Sequence, residues 1–396
     1  MFFNITNKKL KNYVNNYELI NNMILNCDDG WHKFELPDYL IYIKGYSDKF
    51  NLCELSGQII KDFTPTFTGN FVAVIVNNDK IIITNDVYRG SPVRKGKDYV
   101  TNLEDGDGVW CDKYAVINFE DGISIEEIIF NPYNEPDNSK KTETEIINTI
   151  HSLLCDTYDN FLSHNKLPLK IFLSGGLDTL LAYSYLEKFT SNFELIDHEY
   201  FKFTPFWVKN SSKLLTTATW GYTRFHLWDE PCVLVTGTNG DENFLRGAHL
   251  THLMLRYYNT DMVELIKGNE DNYSCHFYNR NKDYYTIDKY PDLSTDQFTN
   301  YIDLQKYILN RNINDHQHWH LDQTLTFTPF KNIKILENVL KLPRESYIKH
   351  VTDAYINRQL LVKNNPNLAQ YVCTHKNVNT HENLLPLFNK HNNMLD

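Results

Sequence analysis

The sequence predicts an α/β protein in two parts: an antiparallel β-rich amino-terminal domain, then a larger domain in which strands and helices alternate. Three stretches carry that expectation. FVAVIVNNDKIIITND, Phe71 to Asp86, is two β-branched runs joined by polar Asn77-Asn78-Asp79, a hairpin signature. KIFLSGGLDTLLAYSYLEKF, Lys170 to Phe189, reads as a strand ending at Leu173, a turn over Ser174-Gly175-Gly176, and a helix opening at Asp178-Thr179. PCVLVTGTNGDENFLRG, Pro231 to Gly247, is a second apolar strand running into a glycine-bearing turn with Asp241-Glu242 at its end.

Composition narrows the function classes. A chain of 396 residues is long enough for two separate cores, and 42% hydrophobic with 22% charged residues is ordinary for a globular protein. The net charge of -11 argues against a general nucleic-acid binder, whose footprint is basic. Seven cysteines, at positions 27, 53, 111, 155, 232, 275 and 373, are scattered with no C-x-x-C pair. Neither a disulfide framework nor a zinc knuckle follows from them. Met1-Phe2-Phe3 runs into polar residues and no apolar run approaches membrane-spanning length, so the expectation is a cytoplasmic protein with no membrane partner.

Taken in order, strands are expected at Leu40 to Tyr46, in the two runs of Phe71 to Asp86, and near Tyr99 to Thr101 and Tyr114 to Phe119. Asn131 to Lys141, polar and carrying Pro132 and Pro136, reads as a linker, which divides the chain into residues 1–136 and 140–396. Thr142 or Thr144 then caps a helix with Ile146, Ile147, Ile150, Leu153 and Leu154 on one face. Past the glycine turn, Thr179 to Phe189 packs Leu180, Leu181 and Leu186 on a sheet. A second strand is expected near His198 to Thr204 and a helix over Ser212 to Thr223. A helix carrying Ile333, Ile335, Leu336, Val339 and Leu340 follows Pro329-Phe330, and the carboxyl end suits two helices broken at Pro366.

The chemistry centres on the glycine turn. Backbone N–H groups of a serine-glycine turn feeding a helix point one way, and two adjacent glycines let a phosphate approach with no Cβ in its path. Ser-Gly-Gly-x-Asp-Ser/Thr after an apolar strand resembles the PP-loop of ATP pyrophosphatases, which cut ATP between the α and β phosphates. No lysine follows the second glycine, unlike the G-x-x-x-x-G-K-[ST] loop. The resemblance implies ATP held by Leu173, Ser174, Gly175, Gly176, Asp178, Thr179 and Gly237, with Thr179 where serine is usual. It also implies Mg2+ on Asp178. Ligands of parallel sheets gather at the carboxyl ends of strands, so Asp241 is expected on the same rim, close enough to share that ion.

Thr236, Gly237, Asp241, Glu242 and Phe244 match the second site motif of the asparagine synthetases, with Asn239 replacing a glycine, and Pro329-Phe330 resembles a further segment of that family. Thr68 to Val93 resembles its glutamine-amidotransferase domain. That resemblance implies a Rossmann-like PP-loop synthetase domain preceded by a degenerate, antiparallel Ntn-like domain. The family's glutaminase needs a cysteine directly after the initiator methionine; Phe2 stands there and Cys27 is internal, so no glutamine hydrolysis is expected. A Glu-x-Arg precedes the family's Pro-Phe, whereas Leu325 and Phe327 occupy those positions here. A different general base is therefore required, or the acceptor differs, with His320 and Asp322 the nearest candidates for the base; Glu242, beside Asp241, is a further catalytic candidate.

Family lysines that steady the pyrophosphate have their nearest counterparts in Lys376 and Lys349. His316, His318 and His320 alternate, which puts three imidazoles on one strand face, enough for zinc or for a polar pocket wall. Phe206, Trp207, Trp319 and Phe327 are candidates to line an acceptor pocket. The resemblance implies an AMP-forming ligase, related to asparagine synthetase or the β-lactam synthetases, acting on a small carboxylate and an amine, with a homodimer possible. Two alternatives stay open: nucleobase modification of the tRNA type, and a catalytically inactive nucleotide-binding scaffold.

Overall fold

The computed structural model describes residues 3–11, 13–61, 69–86, 93–101, 109–110, 114–118, 124–128, 141–173, 176–196, 232–237, 240–246, 324–371, 384, 386–387 and 389. Its architecture is mixed α/β, with two antiparallel sheets followed by a parallel one.

The amino-terminal part comprises β1 (Phe3–Thr6), β2 (Asn15–Glu18), β3 (Ile24–Cys27), β4 (His32–Leu36), β5 (Tyr39–Ser47), α1 (Leu52–Lys61), β6 (Gly69–Val76), β7 (Lys80–Asn85), β8 (Arg94–Lys95), β9 (Val100–Thr101), β10 (Val109–Trp110), β11 (Tyr114–Asn118) and β12 (Ser124–Ile128). One sheet runs β10-β8-β9-β1-β3-β2 and the other β12-β11-β7-β6-β5-β4. The expected hairpin is β6–β7, in register Val76↔Ile81, and Asn77 closes its turn by accepting from the amides of Asp79 and Lys80.

Period-2 alternation explains how this second sheet is covered on both faces. Val72, Val74 and Val76 meet Phe3, Ile5 and Leu25 of the first sheet, while Phe71, Ala73 and Ile75 meet Leu55 and Ile59 of α1. The unbroken apolar run of β6 reflects its two dry faces. Sequence periodicity missed β1 to β4 and α1.

The second part begins with α2 (Glu143–His164), whose Thr142 accepts from the amide of Glu145 while the Glu145 carboxylate accepts from Thr142, a complete capping box. Ile146, Ile150, Leu154, Tyr158 and Phe161 form its buried stripe. Then come β13 (Leu169–Phe172), α3 (Leu177–Phe189), β14 (Glu194–Ile196), β15 (Cys232–Val235), the single turn α4 (Gly240–Asn243), β16 (Thr324–Phe327), α5 (Ile333–Val339), α6 (Arg344–Asp353) and α7 (Tyr355–Asn364). The chain breaks at Pro366 as expected, but a 3-10 stretch, Pro366–Tyr371, takes the place of a second α-helix there. The strand and helix expected over 198–223 lie outside the described residues.

The parallel sheet runs β14-β13-β15-β16. Its first strand in sequence is thus internal, flanked by the second and third, and the direction of winding reverses between β13 and β15. Crevices outside the carboxyl ends of strands at such a reversal are where ligands of open α/β sheets collect.

The two parts meet in a dry seam. Tyr46 is buried, accepts from the amide of Thr328 at 3.0 Å, and sets its ring edge-on to Phe161 and Phe327. Asn70 donates to the Thr326 carbonyl at 3.1 Å, and Lys331 pairs with Asp86 at 3.5 Å, both side chains out of water. Among the described residues no helix is long and apolar enough to cross a membrane.

Candidate functional site

Three loops, after β13, β15 and β16, converge at the winding reversal. Gly176 caps α3 with an extended backbone, and Asp178 falls in the first helical turn, where a carboxylate opposes the positive end of the helix dipole. The loop after β15 presses against it. A Cβ on Gly237 would lie 2.7 Å from the Thr179 nitrogen, and one on Gly240 would lie 2.5 Å from the Asp178 carboxyl carbon. Only glycine fits either position. The loop after β16 closes the third side, where Asn243 donates to the Phe330 carbonyl and Phe244 sets its ring edge-on to Phe330.

Asp178 Oδ1 accepts from Arg246 Nη2 at 2.9 Å and from Asn357 Nδ2 at 3.1 Å. The same Arg246 nitrogen donates to Asp241 Oδ1 at 2.7 Å. The carboxylates of Asp178, in the first turn of α3, and Asp241, in α4, therefore converge on one nitrogen. Arg246 is 5% exposed and Asp241 55%, so the cluster opens to solvent on the Asp241 side.

Arg246 is aimed by a strained turn. Leu245 has φ 55°, left-handed for a residue with a Cβ, a conformation that costs on the order of 1–3 kcal/mol. Two side chains of α6 hold it. Tyr347 donates to the Leu245 carbonyl at 2.7 Å, and His350 meets the Phe244 carbonyl at 2.7 Å through Nε2. His350 Nδ1 accepts from the Ile356 amide at 3.2 Å, so its partners fix the neutral Nε2–H tautomer. Burial pushes the imidazole down to about 3, helped by the Arg246 charge and opposed by the Phe244 carbonyl. Ile356 opens α7, the helix that supplies Asn357. His350 thus ties both partners of Asp178 together.

Of the remaining candidates, Leu173 is buried in the core, which leaves only its backbone to face a ligand. Thr179 donates its hydroxyl to the Gly176 carbonyl at 3.0 Å, a bond that steadies the first turn of α3. Lys349 pairs with Glu143 at 3.3 Å and lies over the Tyr355 ring, half exposed at the start of α2. Phe327 stacks on Phe161 with centroids 4.0 Å apart and is fully buried, so it belongs to the hydrophobic core rather than to an acceptor pocket. Ser174, Gly175, His316, His318, His320, Asp322, Lys376, Phe206, Trp207, Trp319 and the side chain of Glu242 lie outside the described residues.

Sequence reasoning missed Arg246, Asn357, Tyr347 and His350. Arg246 stands inside the Pro231 to Gly247 stretch, a lone cation five residues past Asp241. The other three sit on helices that no local pattern connects to the loop.

In the amino-terminal part, Cys27 is buried, and burial with the neighbouring Asp28 pushes its thiol up to about 12. Asp28 accepts from Trp31 Nε1 at 2.8 Å and from Lys44 at 2.6 Å. The thiol therefore stays protonated near neutrality, which fits the expectation that Cys27 is no nucleophile.

Among the described residues no group of three or more His, Cys, Asp or Glu side chains gathers to hold a metal; the two carboxylates of Asp178 and Asp241, one of them reaching solvent, meet at one point. Arg246 holds that point with a guanidinium.

No family model matches the chain, and no curated protein does. Among solved structures, the chain is similar to the glutamine phosphoribosylpyrophosphate amidotransferase of B. subtilis in complex with ADP and GMP, with 9% identity and a TM-score of 0.19 over 38% of this chain and 46% of that one. It is similar too to a structure described as the allosteric regulatory enzyme of purine biosynthesis, with 11% identity and a TM-score of 0.19 over 38% and 46% of the two chains. The chain thus spans about half the length of each.

Proposed function

We propose that this chain is an ATP-dependent, AMP-forming amide ligase of the kind it resembles in sequence, the asparagine synthetases and β-lactam-synthetase-like enzymes. The observation that carries the reading is the arrangement of loops at the winding reversal: Asp178, just past β13, meets Arg246 and the glycines that follow β15, and the loop after β16 packs against Asn243 and Phe244. The sequence motifs that resemble the synthetases lie on those same three loops. The strand order supports reading residues 140–396 as a Rossmann-like PP-loop domain and residues 1–136 as its degenerate, Ntn-like companion.

In this reading Leu173 to Thr179 and Gly237 hold ATP at the start of α3, where the glycine turn and helix dipole favour its phosphates. Magnesium on Asp178 and Asp241 would offset charge on the departing pyrophosphate. A substrate carboxylate oxygen attacks the α phosphorus as the bond to the β-phosphate oxygen breaks, giving an acyl-adenylate and pyrophosphate. An amine nitrogen then bonds to the acyl carbon, AMP leaves with the bridging oxygen, and the amine's extra proton passes to a base. His320, Asp322 and Glu242 are the candidates for that base, and Lys376 and Lys349 for steadying the phosphates.

Product analysis tests this. Incubation with ATP, magnesium, ammonium and a panel of carboxylates should yield AMP and pyrophosphate only when a suitable carboxylate is present. ADP and phosphate would overturn the reading. One observation favours a second reading, the inactive nucleotide-binding scaffold: a guanidinium already occupies the point where both carboxylates meet. ATP binding without turnover across the panel would select it.

A further inference from the structure

We propose that Arg246 is a resident cation at the point shared by Asp178 and Asp241, so that an arriving magnesium–nucleotide must displace its guanidinium. The proposal rests on the magnesium–nucleotide reading for what arrives, but the device itself is present in the contacts of the chain. One nitrogen, Nη2, donates to both carboxylates, at 2.9 and 2.7 Å. A guanidinium cannot give up its charge in a protein, so it relieves the repulsion between the two acids at all working pH values.

A magnesium ion needs those oxygens at roughly 2.0–2.1 Å and would stand about 3 Å from the guanidinium. A divalent and a monovalent cation that close repel by a factor of roughly a hundred even in water-like screening, and by far more in a partly buried site. Both cannot hold the same oxygens.

The main chain beside the arginine has anchors of its own. The left-handed turn at Leu245 is held by Tyr347 and His350 through the main-chain carbonyls of Leu245 and Phe244. Asn357 keeps its own bond to Asp178 when the guanidinium swings away. The entry side is defined as well, because Asp241 is the exposed member of the cluster. Arg246 thus sets a threshold that a free divalent ion meets poorly and that an ion already carried by a polyphosphate meets better, since the phosphate oxygens can take over the guanidinium.

The test uses the full chain without nucleotide. Binding of Mn2+ is counted by electron paramagnetic resonance for the wild type, Arg246→Met and Arg246→Lys, alongside thermal midpoints in chelator and in magnesium. Arg246→Met should bind one Mn2+ about tenfold or more tightly than the wild type. Its midpoint should fall in chelator and recover in magnesium, whereas that of the wild type barely responds. Arg246→Lys keeps a cation there and should behave like the wild type. Adding Asp241→Asn to Arg246→Met should abolish the gain; a gain that survives places the ion elsewhere and overturns the proposal.

Equal Mn2+ affinity in wild type and Arg246→Met overturns it too. If Arg246→Met does not fold in chelator, refolding with and without excess magnesium reads the same quantity: recovery with metal alone supports the proposal and no recovery in either overturns it. ATP binding is measured separately on the wild type. Its absence beside a clear metal gain removes the nucleotide reading alone, and its presence beside no metal gain removes this proposal alone.

Discussion

Acid should loosen the Asp178 cluster through His350, a residue that touches neither carboxylate. Its imidazole is fully buried, with a pKa pushed down from 6.5 to about 3 by burial and the Arg246 charge. Between those values the unfolded chain binds a proton that the folded chain refuses, so stability is fully present above 6.5 and drains away as pH falls toward about 3. At about 1.4 kcal/mol per unit, the whole window is worth ~5 kcal/mol, and acidification from neutrality to pH ~5 removes about 2 kcal/mol.

Urea unfolding monitored by circular dichroism at a series of pH values, for the wild type and His350→Gln, isolates this contribution. The glutamine can donate to the Phe244 carbonyl but does not titrate. The wild-type advantage over the variant should shrink by about 2 kcal/mol across that range. Parallel curves would show that His350 is not held neutral by its buried place between Phe244 and Ile356, and the reasoning would fail.

Other outcomes rest on contacts elsewhere in the chain. Lys331→Met or Asp86→Asn alone breaks a buried ion pair and should cost about 3–5 kcal/mol, whereas the double variant should recover most of it; additive losses in a double-mutant cycle would contradict the pairing. Gly240→Ala drives a Cβ into the Asp178 carboxyl and should destabilise by roughly 1–3 kcal/mol with loss of nucleotide affinity in calorimetry. By contrast Gly57→Ala, in α1 with open space around it, should stabilise by about 0.5–1 kcal/mol in the same urea assay. Iodoacetamide at neutral pH should modify the exposed Cys53 and spare Cys27, and no glutamate should be released from glutamine.

Much of the fold was legible because its signals are local. The β-branched runs of β6 and β7, the cap at Thr142 and the apolar stripe of α2 each sit within a few residues of one another. The strands β1 to β4 were illegible because each is only four or five residues long, too short for a periodic pattern, and they gain their place by pairing with partners such as β9, nearly a hundred residues from β1. The same split holds at the site. Asp178, Gly237 and Asp241 were visible as loop motifs, but Asn357 meets Asp178 across 179 residues and His350 meets Phe244 across 106. Lys349 was legible as a lysine in a suitable stretch, but its pairing with Glu143, 206 residues away, was not.

The central claim is that this loop cluster activates a carboxylate by cutting ATP at its α phosphate. Exchange of radiolabelled pyrophosphate into ATP tests that step directly, with the wild type and Asp178→Asn compared across a panel of carboxylates. Exchange should depend on one carboxylate and be lost in the variant. No exchange with any carboxylate while ATP remains bound, or exchange that Asp178→Asn leaves intact, would contradict the claim.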